Sequence, residues 1–402
     1  MKEFILVLTC ISLTLAAGDK LQQKIDRAFL DPVGRAAYET FMRKYLVDRI
    51  SAAEQVQTEH VVKDYKCPDM SPSPSNPTSV HSLRPADIRH VATLGDSLSA
   101  ANGADALTIA GVALEYRGLA FAGGCDNDAT KHASLPNMLR QFNGKLYGCS
   151  KGIGKNDNFK VARFNVAVPG SVVFNLFAQV DHLERDLKAH LTASQFAEDW
   201  KLVNIHIGGN DLCDSCRSSR YEPKKWAATL AQVAYKIKQR IPRVLLNIAA
   251  APQVAMLSEV GRANFWCGIA NGIECKCIKR ERREVLQQRA FDYYAETLKF
   301  ERHPENLNSD SFTLVVQPFV NSVVKPPYKT NGKVDLSYFA PDCFHFSRKT
   351  HDIAGQILWN NLLEPVGHKT KYTSIRQIKD VKCPDPKCPF LRTVKNSERC
   401  QS

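Results

Sequence analysis

From residue 90 onward the sequence alternates short, continuous apolar runs with longer stretches of mixed polarity. No other feature constrains the fold as tightly. The runs are His90–Leu94, Phe164–Val168, Leu202–Ile207, Val244–Ala249 and Phe312–Val316. The main amphipathic stretches read as helices over Val172–His190, Pro223–Gln239, Lys279–Phe300 and His351–Leu363. Apolar strands without a polar face must be covered on both sides, which points to a parallel sheet between helical layers. Ligands in such folds gather where the strands end at their carboxyl side. A chain of 402 residues accommodates one such domain with appendages, or two domains.

The opening MKEFILVLTCISLTLAAGDK has a short polar start, about twelve mostly apolar residues and then small Ala16, Ala17 and Gly18, the layout of a signal peptide over residues 1–17. Spanning a bilayer takes about 20 apolar residues, so the expectation is a secreted, extracellular protein. Of thirteen cysteines all but Cys10 lie beyond that segment. The remaining even number favours disulfides in an oxidising compartment, with the pairing left open. Cys213-x-x-Cys216 also has the spacing of a redox or zinc pair, a weaker reading behind a signal peptide.

Residues 18–66 carry Leu21, Ile25, Phe29, Phe41 and Tyr45 at roughly helical spacing and read as a helical segment, broken near Asp31-Pro32. CPDMSPSPSNP starts a Pro/Ser-rich connector over 67–85. The main domain then covers 86–368, and 369–402 form a cysteine-containing, irregular tail. Net charge is +13, but the basic residues are dispersed apart from 279–283, as on a solvated surface. No nucleic-acid partner is expected.

Four segments carry chemistry. HVATLGDSLSAANGA places Ser97 directly after the first strand, where Gly95 permits a tight turn. A serine hydroxyl becomes a nucleophile only beside a base. YFAPDCFHFS supplies Asp342 and His345 three residues apart in a loop, a carboxylate that can orient an imidazole and a base for Ser97. VNIHIGGNDLC ends a strand in Asn210, whose amide can donate to an oxyanion, and FNVAVPGS offers the Gly170 N–H after another. Each segment alone is equally compatible with an ordinary strand-ending turn. The Gly-x-Ser-x-Gly elbow of the α/β-hydrolases is absent, because residue 99 is serine.

Together these blocks resemble the GDSL, or SGNH, family of serine esterases and lipases. PTSVHSLRPADIRHVATLGDSLSA, LEYRGLAFAGG, DWKLVNIHIGGNDLC and FAPDCFHFS are further similar to a repeat unit of animal phospholipase B, from about residue 65 to residue 390. The resemblance implies a three-layer α/β/α sandwich, the flavodoxin-like SGNH hydrolase fold with a central parallel sheet. It also implies a calcium-independent serine hydrolase without metal or cofactor. In that reading Ser97 is the nucleophile, His345 the base and Asp342 its partner, with the Ser97 and Gly170 N–H groups and the Asn210 side chain forming the oxyanion hole. Phospholipids or lysophospholipids would be deacylated in transient contact with a membrane or micelle surface, and SAANGA would line the acyl entrance. Membrane anchoring is not implied, because no second long apolar segment follows. Two alternatives are an esterase for short-chain or acetyl esters and a secreted lipid-binding protein with a vestigial site. A bridge between Cys125 and Cys149 would constrain the segment after LEYRGL.

Overall fold

In the computed structural model, which describes Val62, residues 65–302 and 307–376, Ile378 and residues 380–400, four of the apolar runs form one parallel sheet. The proposed signal segment and nearly all of the 18–66 segment lie outside the described residues. Strands β1 (Ile88–Gly95), β2 (Trp200–His206), β3 (Val244–Ala249) and β4 (Phe312–Gln317) lie side by side in that order. Their register aligns Leu94, Ile205, Ile248 and Val316.

Strand side chains alternate between faces, and here both faces are apolar. Val91, Leu202, Leu245 and Val315 belong to one buried cluster, with helices α2 (Leu135–Phe142) and α8 (Arg348–Leu363). Leu94, Ile205, Ile248 and Val316 belong to the other, with α3 (Leu176–His190), α5 (Pro223–Arg240) and α7 (Arg283–Glu301). The expected α/β sandwich is therefore the fold. Short helices α1 (Ser97–Ala100), α4 (Gly209–Asp214) and α6 (Phe265–Glu274) complete the set used below.

Phe164–Val168 departs from the expectation of a fifth strand. It runs beside β1 on the side away from β2, through a Thr93–Asn165 bridge and bonds from Thr93 N–H to the Phe164 carbonyl (3.0 Å) and from Val166 N–H to the Thr93 carbonyl (2.9 Å). Its outer carbonyls meet a side chain instead of another strand. The fully buried Arg117 guanidinium donates to Asn165 O at 2.8 Å and Ala167 O at 2.6 Å, which closes the sheet edge. The chain thus leaves β1, passes along its outer side and returns to β2 on the inner side. That reversal makes the carboxyl end of β1 the switch point where a ligand crevice opens.

Helix α3 starts later than Val172 because a 3-10 turn over Val173–Asn175 leads into it, with the Val172 N–H held by Asn175 Oδ1 (2.9 Å) and the Val173 N–H by Asp211 Oδ1 (3.1 Å). The tail is less irregular than its composition suggests, since Thr393 caps a helix over Val394–Arg399. Tail and connector together cover α8, of whose sixteen residues all but Arg348 are buried. Trp359 donates to Lys382 O at 2.8 Å, Tyr65 packs edge-on against its ring, and Cys67–Cys383 clamps the two segments. Removing the Trp359 ring would cost about 3–5 kcal/mol.

Every cysteine among the described residues is in a disulfide. Cys213 and Cys216 bond to Cys275 and Cys277 and not to each other, so the redox or zinc reading is corrected to two parallel staples. Cys125 and Cys149 are joined. Among the described residues no helix is long and apolar enough to cross a membrane.

Candidate active site

Ser97 stands at the first position of α1, immediately after β1. Asp96 caps this helix, its carboxylate accepting the Leu98 N–H at 3.0 Å. An N–H in the first turn has no intrahelical acceptor, so the Ser97 N–H is available to a ligand. The turn demands glycine at residue 95: its φ is +149°, and a Cβ there would lie 2.2 Å from the His206 carbonyl oxygen.

The structure brings Ser97, His345 and Asp342 into one line. His345 Nε2 is 2.8 Å from Ser97 Oγ, and Nδ1 is 2.5 Å from Asp342 Oδ2. With Nδ1–H donating to the carboxylate, Nε2 is left to accept the serine proton. The other Asp342 oxygen accepts the Phe344 and His345 N–H groups, each at 3.0 Å, so one carboxylate fixes both the ring and the loop that carries it. Burial opposes charge on His345, but Asp342, aided by Glu274 and Asp96, outweighs it and holds the imidazole above its ordinary value. Burial likewise works to raise Asp342, and His345 with the two N–H donors turns the balance, leaving it below the usual carboxylate range.

Asn210 lies on the first turn of α4, at the carboxyl end of β2, and shares a cleft wall with Ser97. One of its amide hydrogens donates to Ser171 O at 2.9 Å; an amide has a second to offer. Gly170 is exposed and lies outside that wall. Its φ of +76° explains the glycine, since a Cβ there would touch nothing.

The cleft is open to solvent and, with that open space counted, spans about 420 Å³. Leu98, Val254, Met256, Leu257, Phe344 and Phe346 make its wall largely apolar, with Asp96, Ser97 and Asn210 on the polar side. SAANGA does not line it as expected beyond the serine helix. Ala101 adopts the left-handed conformation (φ 57°), and Asn102 N–H turns back to Ser97 O, which buries Ala100 and Ala101 completely. The segment after β3 takes that place.

Two buried carboxyls beside the site were not foreseen. Burial pushes Asp96 up to about 6, against its N–H donors and the nearby His345. Burial also pushes Asp211 up to about 7, opposed by the Val173 N–H and reinforced by Asp96. They sit inside the GDS and GGND motifs, but only three-dimensional burial marks them as unusual. Among the described residues no group of three or more His, Cys, Asp or Glu side chains converges as metal ligands.

Comparison with known proteins adds a second line of argument. Residues 91–358 match the family described as GDSL-like Lipase/Acylhydrolase. Over 344 residues, 83% of its length, the chain is 40% identical to "Phospholipase B1, membrane-associated" of Mus musculus. It is 38% identical to the protein of that name from Rattus norvegicus, and 37% identical to the one from Homo sapiens. In each case the match spans 23% of the relative's own length.

Proposed function

The chain belongs to the family of GDSL-like lipases and acylhydrolases, and from that membership we propose a secreted, calcium-independent esterase of phospholipase B or lysophospholipase type. The observation that carries the reading is the hydrogen-bonded line Ser97–His345–Asp342 opening into an apolar cleft. Acyl chains of a glycerophospholipid match such walls; an acetyl group would leave most of them uncovered.

In this mechanism Ser97 Oγ attacks the ester carbonyl while His345 Nε2 takes its proton. Negative charge moves onto the carbonyl oxygen, where the Ser97 N–H and the second Asn210 amide hydrogen receive it from the cleft wall, and the Gly170 N–H is assigned the third contact from the loop beside that wall. Collapse breaks the ester bond, and His345 returns the proton to the departing glycerol oxygen. Water then attacks the acyl-Ser97 ester with His345 again as base, releasing a fatty acid and restoring the serine. Asp342 holds the ring in the required tautomer throughout. The disulfides fit an oxidising, extracellular setting, and the closeness of the relatives named for phospholipase B supports phospholipid and lysophospholipid as substrates.

Mass-spectrometric product analysis on one phosphatidylcholine with two different acyl chains tests this reading. Release of both fatty acids, undiminished by a calcium chelator, is expected. Turnover confined to acetyl esters would overturn the phospholipase assignment, and loss of activity with chelator would overturn calcium independence.

A further inference from the structure

The three groups assigned to the oxyanion hole come from three separate chain segments: the end of β1, the loop after Phe164–Val168, and the first turn of α4. Their mutual placement decides whether they can act on one oxygen, and one side chain outside the described machinery links them. Gln179, on the inner face of α3, is only 3% exposed. Its Oε1 accepts the Gly95 N–H and its Nε2 donates to the Gly95 carbonyl, each at 2.8 Å. The remaining hydrogen on Nε2 reaches Ser171 Oγ at 3.0 Å. Ser171, in turn, accepts the Asn210 amide on its carbonyl oxygen at 2.9 Å.

A primary amide presents C=O and N–H in the same paired arrangement as a neighbouring peptide. Gln179 therefore takes the Gly95 N–H that a fifth strand would take, and joins the Val168 N–H (3.1 Å) on the Gly95 carbonyl. It also holds the loop beside Gly170. The connected series Gly95–Gln179–Ser171–Asn210 passes within two residues of every donor in the hole. A buried amide with all its hydrogen bonds made, as Gln179 has, is held rigidly.

Building on the esterase reading above, we propose that Gln179 is a positioning residue of the oxyanion hole, setting the separation of the Ser97, Gly170 and Asn210 donors. It touches no substrate. Because the hole binds charge that develops only in the transition state, misplacing its donors lowers kcat and leaves KM nearly unchanged.

The test uses the full chain with Gln179→Met, which keeps length and volume without the hydrogen bonds, and Ser171→Ala, which removes only the Ser171 Oγ link. A soluble p-nitrophenyl butyrate assay gives kcat and KM. A trifluoromethyl ketone, which forms a tetrahedral adduct on the serine, reports the hole directly, and butyrate as product inhibitor reports ground-state binding. For Gln179→Met the expectation is a fall in kcat of about 10- to 100-fold, a matching loss of ketone affinity, and KM and butyrate inhibition within about twofold. Ser171→Ala should lose about three- to tenfold, and the double variant less than the product of the two, since both cut one link. Should Gln179→Met fail to fold, Ser171→Ala carries the test alone. A kcat within twofold of wild type in both folded variants would overturn the proposal, as would equal losses in ketone and butyrate affinity. A wild-type chain inert toward both ester and ketone would instead overturn the esterase reading itself.

Discussion

Cys267 and Cys343 are joined by a disulfide, so helix α6 is covalently tied to the loop that carries Asp342 and His345, two residues before His345. Cys343 itself adopts a left-handed φ of 61°, a conformation glycine tolerates best. The bond closes a sequence separation of 76 residues, and removing it should cost about 2–4 kcal/mol. Replacing the pair as Cys267→Ala with Cys343→Gly avoids adding backbone strain. Thermal melts should move down, and kcat should fall roughly tenfold as the Asp342–His345 turn loosens. An unchanged melt and rate would show that the loop holds its shape without the bond.

The acid limb of activity follows from the charges around His345. As the proposed base, His345 works only when neutral, and Asp342 keeps its imidazole above the ordinary histidine value. The rate therefore falls, on acidification, at a pH above that of a free histidine. Asp342→Asn removes the largest of the groups that raise it and leaves burial, which lowers it, opposed only by Glu274 and Asp96, so the limb should shift to lower pH. The same variant loses the acceptor that selects the tautomer, and kcat should drop on the order of 10³–10⁴. A pH series of kcat/KM on both proteins checks the two effects together. A limb that stayed put in the variant would place the titrating group elsewhere.

Acyl-length preference should reside in the segment after β3. Met256 lines the same cleft as Asp96, Ser97 and Asn210. Met256→Trp fills part of that space, and the ratio of kcat/KM for a long-chain over a butyryl ester should fall roughly tenfold. The measurement is a chain-length series under one set of conditions. A uniform loss across all lengths would indicate general disturbance of the site.

Much of this arrangement was legible in the sequence, for identifiable reasons. The strands at residues 88–95, 200–206, 244–249 and 312–317 announce themselves because burial on both faces leaves them mostly apolar, with no alternating polar stripe; their few inner polar side chains, such as Asn204, Asn247 and Gln317, bond to one another. Ser97, Asp342 and His345 were legible because short turns at strand ends and before α8 carry them. What escaped depends on contacts distant in sequence. Phe164–Val168 has the composition of a strand, but Arg117 caps its outer carbonyls. Gln179 is one polar residue in an amphipathic helix, and only folding turns it inward. The disulfide partners, 12 to 316 residues apart, follow from the packed structure and from no spacing rule.

The central claim is that His345 activates Ser97. A fluorophosphonate probe reacts with an activated serine and leaves a mass tag that peptide mapping locates. Label on Ser97 alone, abolished in Ser97→Ala and reduced on the order of 10³-fold or more in rate by His345→Ala, is the predicted result. A protein that folds, yet takes no label at Ser97 or takes it equally well without His345, would contradict the account.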